Sequence, residues 1–208
     1  DTVIKGLMDL ISKQENIEKI VLIMFSTTCK VVHNGKTLTS EIIDKNFIPD
    51  GCTAMNDAFL KALSYAKDDT SDNKIVLFLT DGEENSSKAN ITETREKIVE
   101  AQEKGVVMLS LGVSPNVAET YGLPTEQCIE FQHSEGGMRE VMRAASEVMR
   151  SNTSGEEGDT TFTACHRAMS SQLVEDIDYD EVEHRTYTGC LLYTSDAADD
   201  SLRVDLGG

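Results

Sequence analysis

Two short polar segments carry the side chains best suited to chemistry. Gly51-Cys52-Thr53 offers a hydroxyl, and Thr80-Asp81-Gly82 offers a carboxylate directly after the apolar run Ile75-Val76-Leu77-Phe78-Leu79. A neutral hydroxyl and a carboxylate are hard oxygen donors, of the kind that hold Mg²⁺, Mn²⁺ or Ca²⁺ while water completes the shell. Thr53 and Asp81 are therefore the candidate metal ligands. Each has a structural alternative: Thr53 can cap the helix that follows it, and Asp81-Gly82 can be a turn. Glu83 and Glu84 read as solvated charge, and Asn85 is a minor candidate for a contact with the site.

Other reactive residue types form no constellation. His33, His133, His166 and His184 are scattered without ligand spacing. Cys52 adjoins Thr53, but no basic residue stands beside it in sequence to activate the thiol. Met138, Met142 and Met149 recur on one helical face and read as core. No catalytic residue is assigned, and the expectation is a protein that is not an enzyme.

The elements that must position Thr53 and Asp81 are legible from periodicity. Ile20 to Phe25, Ile75 to Leu79 and Val106 to Leu111 are continuous apolar runs, the pattern of strands buried on both faces. Between them, Asn56 to Lys67 and Ile91 to Lys104 repeat apolar residues at helical steps, with Gly105 as the left-handed stop. Cys128 to Phe131 reads as a short strand and Met138 to Arg150 as a helix. Lys30 to His33, Asn34-Gly35 and Lys36 to Leu38 read as a hairpin, because Asn-Gly suits a type I′ turn. Strands alternating with helices predict a doubly wound, mainly parallel α/β sheet with one antiparallel edge strand. In such sheets ligands bind beyond the carboxyl ends of the strands. Ser26-Thr27-Thr28, the Thr53 and Asp81 segments, and Gly112-Val113-Ser114 should therefore share one rim.

In the same order and at similar intervals, these residues resemble the von Willebrand factor A (vWA) family, whose metal-ion-dependent adhesion site joins an Asp-x-Ser-x-Ser loop, a Thr in Gly-x-Thr and an Asp in Thr-Asp-Gly. Thr53 and Asp81 match the second and third elements, and Met24-Phe25-Ser26 and Leu109-Ser110-Leu111-Gly112 match strand ends. The resemblance covers about residues 1–150. It implies a Rossmann-like fold and a Mg²⁺ (or Mn²⁺ or Ca²⁺) ion that captures a carboxylate of a protein partner. The Asp-x-Ser-x-Ser loop is expected ahead of Asp1, so the domain of residues 1–151 should lack its central first strand, hold the ion weakly and fold poorly alone. Asp69-Thr-Ser-Asp-Asn73 imitates the loop but precedes a strand, at the opposite edge. Alternatives are a metal-free scaffold of the same fold and a metal-assisted hydrolase using Asp81, Glu83 and Glu84, for which no convergent nucleophile exists.

The rest of the chain bounds these readings. Its 208 residues carry a net charge of −18, which disfavours nucleic acid as a partner, and contain no apolar run long enough to span a membrane. Scattered cysteines without a CxxC pair fit a cytoplasmic compartment, whereas three Asn-x-Ser/Thr triplets, at Asn85, Asn90 and Asn152, fit a glycosylated one. Residues 152–189 are acidic and polar and read as a linker or disordered tail. Cys190-Leu-Leu-Tyr-Thr-Ser-Asp-Ala-Ala-Asp199 reads as an in-frame translation of a transposase mosaic-end sequencing adapter, so residues 190–208 are left out of the fold expectation.

Overall fold

The computed structural model describes residues 2–14, 17–47, 52–80, 83–153, 160–171 and 189–196. The elements in chain order are α1 (Thr2–Ser12), β1 (Ile17–Phe25), β2 (Cys29–Gly35), α2 (Ser40–Asn46), α3 (Met55–Asp68), β3 (Asn73–Leu79), α4 (Ile91–Glu103), β4 (Val106–Leu111), α5 (Pro115–Tyr121), β5 (Cys128–Ile129), α6 (Glu135–Thr153), α7 (Ala164–Ser171) and β6 (Gly189–Asp196). The strands form one sheet in the order β2-β1-β6-β3-β4-β5.

Side chains alternate across a strand, so each apolar run feeds two cores. Ile20, Leu22 and Met24 of β1, with Ile75, Leu77 and Leu79 of β3, pack with Val3, Leu7 and Leu10 of α1 and Val141, Met142 and Met149 of α6. Val21, Ile23, Phe25, Val76 and Phe78 take the other face, against Phe59 and Ala62 of α3 and Ile98 of α4. There the rings of Phe25, Phe78 and Phe59 stack in series, with centroids 5.0 and 4.3 Å apart. All three are fully buried, and each such side chain contributes about 1.5–3 kcal/mol relative to leaving it in water.

β3, β4 and β5 pair in parallel, while β6 pairs antiparallel with both β1 and β3. It follows that β1, β3, β4 and β5 run the same way and that Phe25, Leu79, Leu111 and Ile129 end at one edge. β2 is the antiparallel edge strand that the sequence predicts, but the expected hairpin at Asn34-Gly35 does not form. β2 runs through Asn34 and Gly35, which pair with Val21 and Ile20, and the chain turns instead at Ser26 to Thr28. The longer apolar partner, β1, outcompetes the local Asn-Gly turn.

The largest departure lies at the sheet centre. The expected gap between β1 and β3 is filled by β6, from the segment left out of the fold expectation. Its register runs from Ile17↔Asp196 to Phe25↔Gly189 on one side and from Asn73↔Asp196 to Leu79↔Cys190 on the other. Buried backbone N–H and C=O groups must find partners. Two strands buried over most of their length and left unpaired on facing edges therefore demand a partner, and Cys190-Leu-Leu-Tyr-Thr194 carries strand-forming residues able to supply one. That pairing rests on the chemistry of the segment and is independent of its resemblance to adapter sequence.

Within the stretch read as an acidic linker, residues 160–171 pack against the sheet margin. Phe162 is buried in the α1–α6 core, and Arg167 of α7 donates to the carbonyls of Cys128, Thr125 and Glu126. Ser170 accepts at its carbonyl from the Gln132 N–H at 3.0 Å.

Cutting the chain after residue 188 removes the pairing on both sides of β6, so residues 1–188 should lose the cooperative thermal transition of the 208-residue chain in far-UV circular dichroism. Equal melting of the two would mean that β6 contributes nothing to the fold.

Candidate functional site

Thr53 stands just ahead of α3, in a helix start that lacks a cap of its own. The N-cap position is Ala54, which has no side chain to offer. The first N–H groups of a helix need acceptors, and here they come from the loop after β3. Oε2 of Glu84 accepts from the Asn56 N–H at 2.9 Å, and the Ser87 hydroxyl oxygen accepts from the Asp57 N–H at 3.2 Å. Ser87 donates its own hydroxyl proton to Glu84 Oε2 at 2.6 Å. Oε1 of Glu84 accepts from the N–H groups of Ser86 and Ser87 at 2.8 and 2.7 Å. Asp57 returns the favour to the loop, accepting from the N–H groups of Lys88 and Ala89 at 3.1 and 3.0 Å.

A second layer fixes Thr53. Its N–H donates to Oδ1 of Asn85 at 2.8 Å, and the Asn85 N–H donates to its carbonyl at 3.1 Å. The next residue, Ala54, donates its N–H to the Ser26 carbonyl at 2.7 Å, and the Ser86 hydroxyl donates to the same oxygen at 3.3 Å. Buried Asn56 accepts from the Tyr121 hydroxyl at 2.8 Å and donates to the Ala89 carbonyl at 3.1 Å, tying α5 to the same rim. The segments after β1, before α3 and after β3 thus meet at the carboxyl edge. Gly112, at the end of β4, adjoins them. It has φ of +82°, and a Cβ there would lie 1.8 Å from the Thr80 carbonyl oxygen.

Thr53 does not cap α3. Its hydroxyl makes no hydrogen bond with the described residues and lies partly exposed at the rim. Asp81 and Gly82 lie outside the described residues. Glu84 is not the solvated charge expected of it, because each carboxylate oxygen takes two hydrogen bonds. Burial alone pushes its pKa up, but the bonds from Ser87, Asn56 and Ser86 outweigh burial and hold it below the usual carboxylate value. A carboxylate so engaged is not free to act as a ligand or base.

Asp69, in the imitation Asp-x-Ser-x-Asn run, is held at the amino edge by Lys19 at 3.3 Å and the Ser71 N–H at 2.9 Å. The four histidines stay apart: His33 contacts the Gly35 carbonyl, His166 contacts Glu147, and His133 lies beside Phe131; His184 is outside the described residues. Burial raises the Cys29 thiol to about 11 and the Cys128 thiol to about 12, which keeps both protonated. Among the described residues, no three His, Cys, Asp or Glu side chains cluster as a metal site, and no helix is long and apolar enough to cross a membrane.

The sequence profile of the von Willebrand factor type A domain matches residues 2–128, which spans α1 through the first residue of β5. The chain belongs to the von Willebrand factor type A family. Domains of this family generally mediate protein–protein interactions, often with a metal, and are typically not enzymes. No curated protein and no solved structure matches the chain.

Sequence reasoning missed the roles of Glu84, Ser86, Ser87 and Asp57. One signal was available: a type A helix starting at Ala54-Met55 has no capping side chain of its own, so an acceptor must come from another loop.

Two measurements follow. Glu84→Gln should lower stability by about 1–2 kcal/mol at pH 7 in urea denaturation, the cost of weakening a charged cap. Because the folded pKa of Glu84 lies below its unfolded value, its contribution is present above the usual carboxylate range and lost as pH falls through the lowered value. The wild type should consequently lose more stability than the variant between pH 7 and pH 3, and parallel curves would contradict the role. Gly112→Ala should cost at least about 1–3 kcal/mol, since it combines positive φ with the clash on Thr80; an unchanged urea midpoint would count against that packing.

Proposed function

We propose that this chain is a non-enzymatic protein-interaction module whose carboxyl rim uses a divalent cation, Mg²⁺ or alternatively Mn²⁺ or Ca²⁺, to capture a carboxylate of a protein partner. The observation that carries the reading is the Thr53 hydroxyl. It is left without a protein partner among the described residues, while the backbone around it is pinned to the loop that begins at Asp81. An unengaged hydroxyl on a fixed backbone suits a hard-cation ligand, and Thr53 and Asp81 are the proposed pair. When bound, the ion supplies a Lewis-acidic seat for one carboxylate oxygen. The chain's own residues hold the Thr53 backbone in place, through Asn85, Ala54 and Ser26, and neutralise the start of α3 through Glu84 rather than adding that carboxylate to the ion.

The alternative reading is a metal-free scaffold of the same fold. Two protein ligands alone hold such an ion weakly. The net charge of −18 also opposes long-range approach of an acidic partner, so capture depends on the ion at short range. For the hydrolase reading, Glu84 is already spent on capping α3.

Titration of the 208-residue chain with Mn²⁺, followed by electron paramagnetic resonance, separates the two main readings. Binding with a dissociation constant on the order of a millimolar is expected, lost in Asp81→Ala and weakened several-fold in Thr53→Val. Mn²⁺ uptake that both variants leave unchanged would place the ion elsewhere, and no uptake at all would favour the scaffold.

A further inference from the structure

At the opposite, amino edge of the sheet, α3 and α4 diverge over a half-open cavity of about 410 Å³. Its floor is aliphatic, from Leu63 of α3, Ala101 of α4 and Val106 at the start of β4. Its margin is basic. Lys67, Lys74, Lys97 and Lys104 all line it, four of the 19 Lys and Arg residues in a chain with 37 Asp and Glu.

Local structure accounts for part of this clustering. Lys67 sits in the last turn of α3 and Lys104 just past the end of α4, where the helix dipoles favour cations. Glu100 pairs with Lys97 at 2.7 Å and with Lys104 at 2.6 Å. Lys67 has no ion pair among the described residues, and Lys74 spends its ammonium on the Asp69 carbonyl, at 2.7 Å. With Glu93 and Glu100 as the acidic lining residues, positive charge prevails in this groove against the sign of the whole molecule.

We infer that this groove is a second docking site, independent of the carboxyl rim, for a partner peptide that combines acidic with aliphatic side chains. The aliphatic floor takes up apolar side chains and the lysines meet the carboxylates, so neither property alone suffices. The occupant is acidic because four lysines line this groove against two glutamates, a local excess of positive charge that complements carboxylates.

The test uses the 208-residue chain and a fluorescein-labelled synthetic peptide built of paired Glu and Leu residues, read by fluorescence anisotropy. The expected result is saturable binding that weakens with salt. It should fall by about tenfold or more in Lys67→Glu/Lys97→Glu, but less than about twofold in Lys36→Glu/Lys45→Glu, which makes the same change in net charge on exposed lysines elsewhere. Replacing Glu by Lys, or Leu by Ser, in the peptide should abolish binding. Chelation and Asp81→Ala should leave it unchanged, which separates this site from the rim. Matching thermal melts check that the reversed variant folds; should it not, Lys67→Gln/Lys97→Gln is used, with a loss of about threefold or more expected. Equal losses in the two double variants, or equal binding of the Lys-substituted peptide, would overturn the inference.

Discussion

Hydrogen bonding across the middle of the sheet is the constraint on which everything else rests. β1 and β3 are buried on both faces, and neither can leave its backbone groups unpaired. By bonding to both, β6 joins the α1–α6 core and the α3–α4 core through a single sheet and sets the spacing between Ser26 and Thr80. Only at that spacing can the loops after β1 and β3 reach the start of α3. The rim is thus a product of the central pairing, and the Glu84 bonds act on an arrangement the sheet has already made.

At the rim, electrostatics and covalent sequence are decoupled. α3 begins without a capping side chain, and its needs are met from a loop 28 residues away in sequence, counting from Asn56 to Glu84. One carboxylate satisfies the helix start, orders Ser86 and Ser87, and accepts from the N–H of Asn56, the residue whose side-chain oxygen holds the Tyr121 hydroxyl. The negative charge of Glu84 also raises the Tyr121 pKa, though less than burial does, so that the hydroxyl stays a donor. Thr53 is then free of the capping role that its residue type suits, and this freedom is what makes it a candidate ligand.

Much of the architecture was legible because it is periodic. The runs at Ile20, Ile75 and Val106 and the helices between them follow from spacing alone, and the common carboxyl rim follows from their alternation. The misses have a shared physical origin in competition between local and distant partners. Asn34-Gly35 favours a turn locally, but β1 offers a longer ladder. Residues 190–196 carry no signal of a central position, since only the unmet hydrogen bonds of β1 and β3 create the demand for them. Glu84 looks like any exposed acid until the bare N-cap at Ala54 is placed beside it. Of the two proposed ligands, the structure describes Thr53, and it was the type A pattern around both that singled them out.

α7 has a consequence of a different kind. A sheet ends in strands whose outer N–H and C=O groups can pair with a neighbouring molecule. β5 is only two residues long, and its Cys128 carbonyl accepts from Arg167 while its Ile129 carbonyl accepts from the Gly112 N–H; β2 at the other margin carries Lys30, His33 and Asn34. Both margins are thereby closed to strand-by-strand growth between copies of the chain. For a family whose domains generally mediate protein–protein interactions, sheet margins of this kind disfavour pairing with further copies while the loops stay outward.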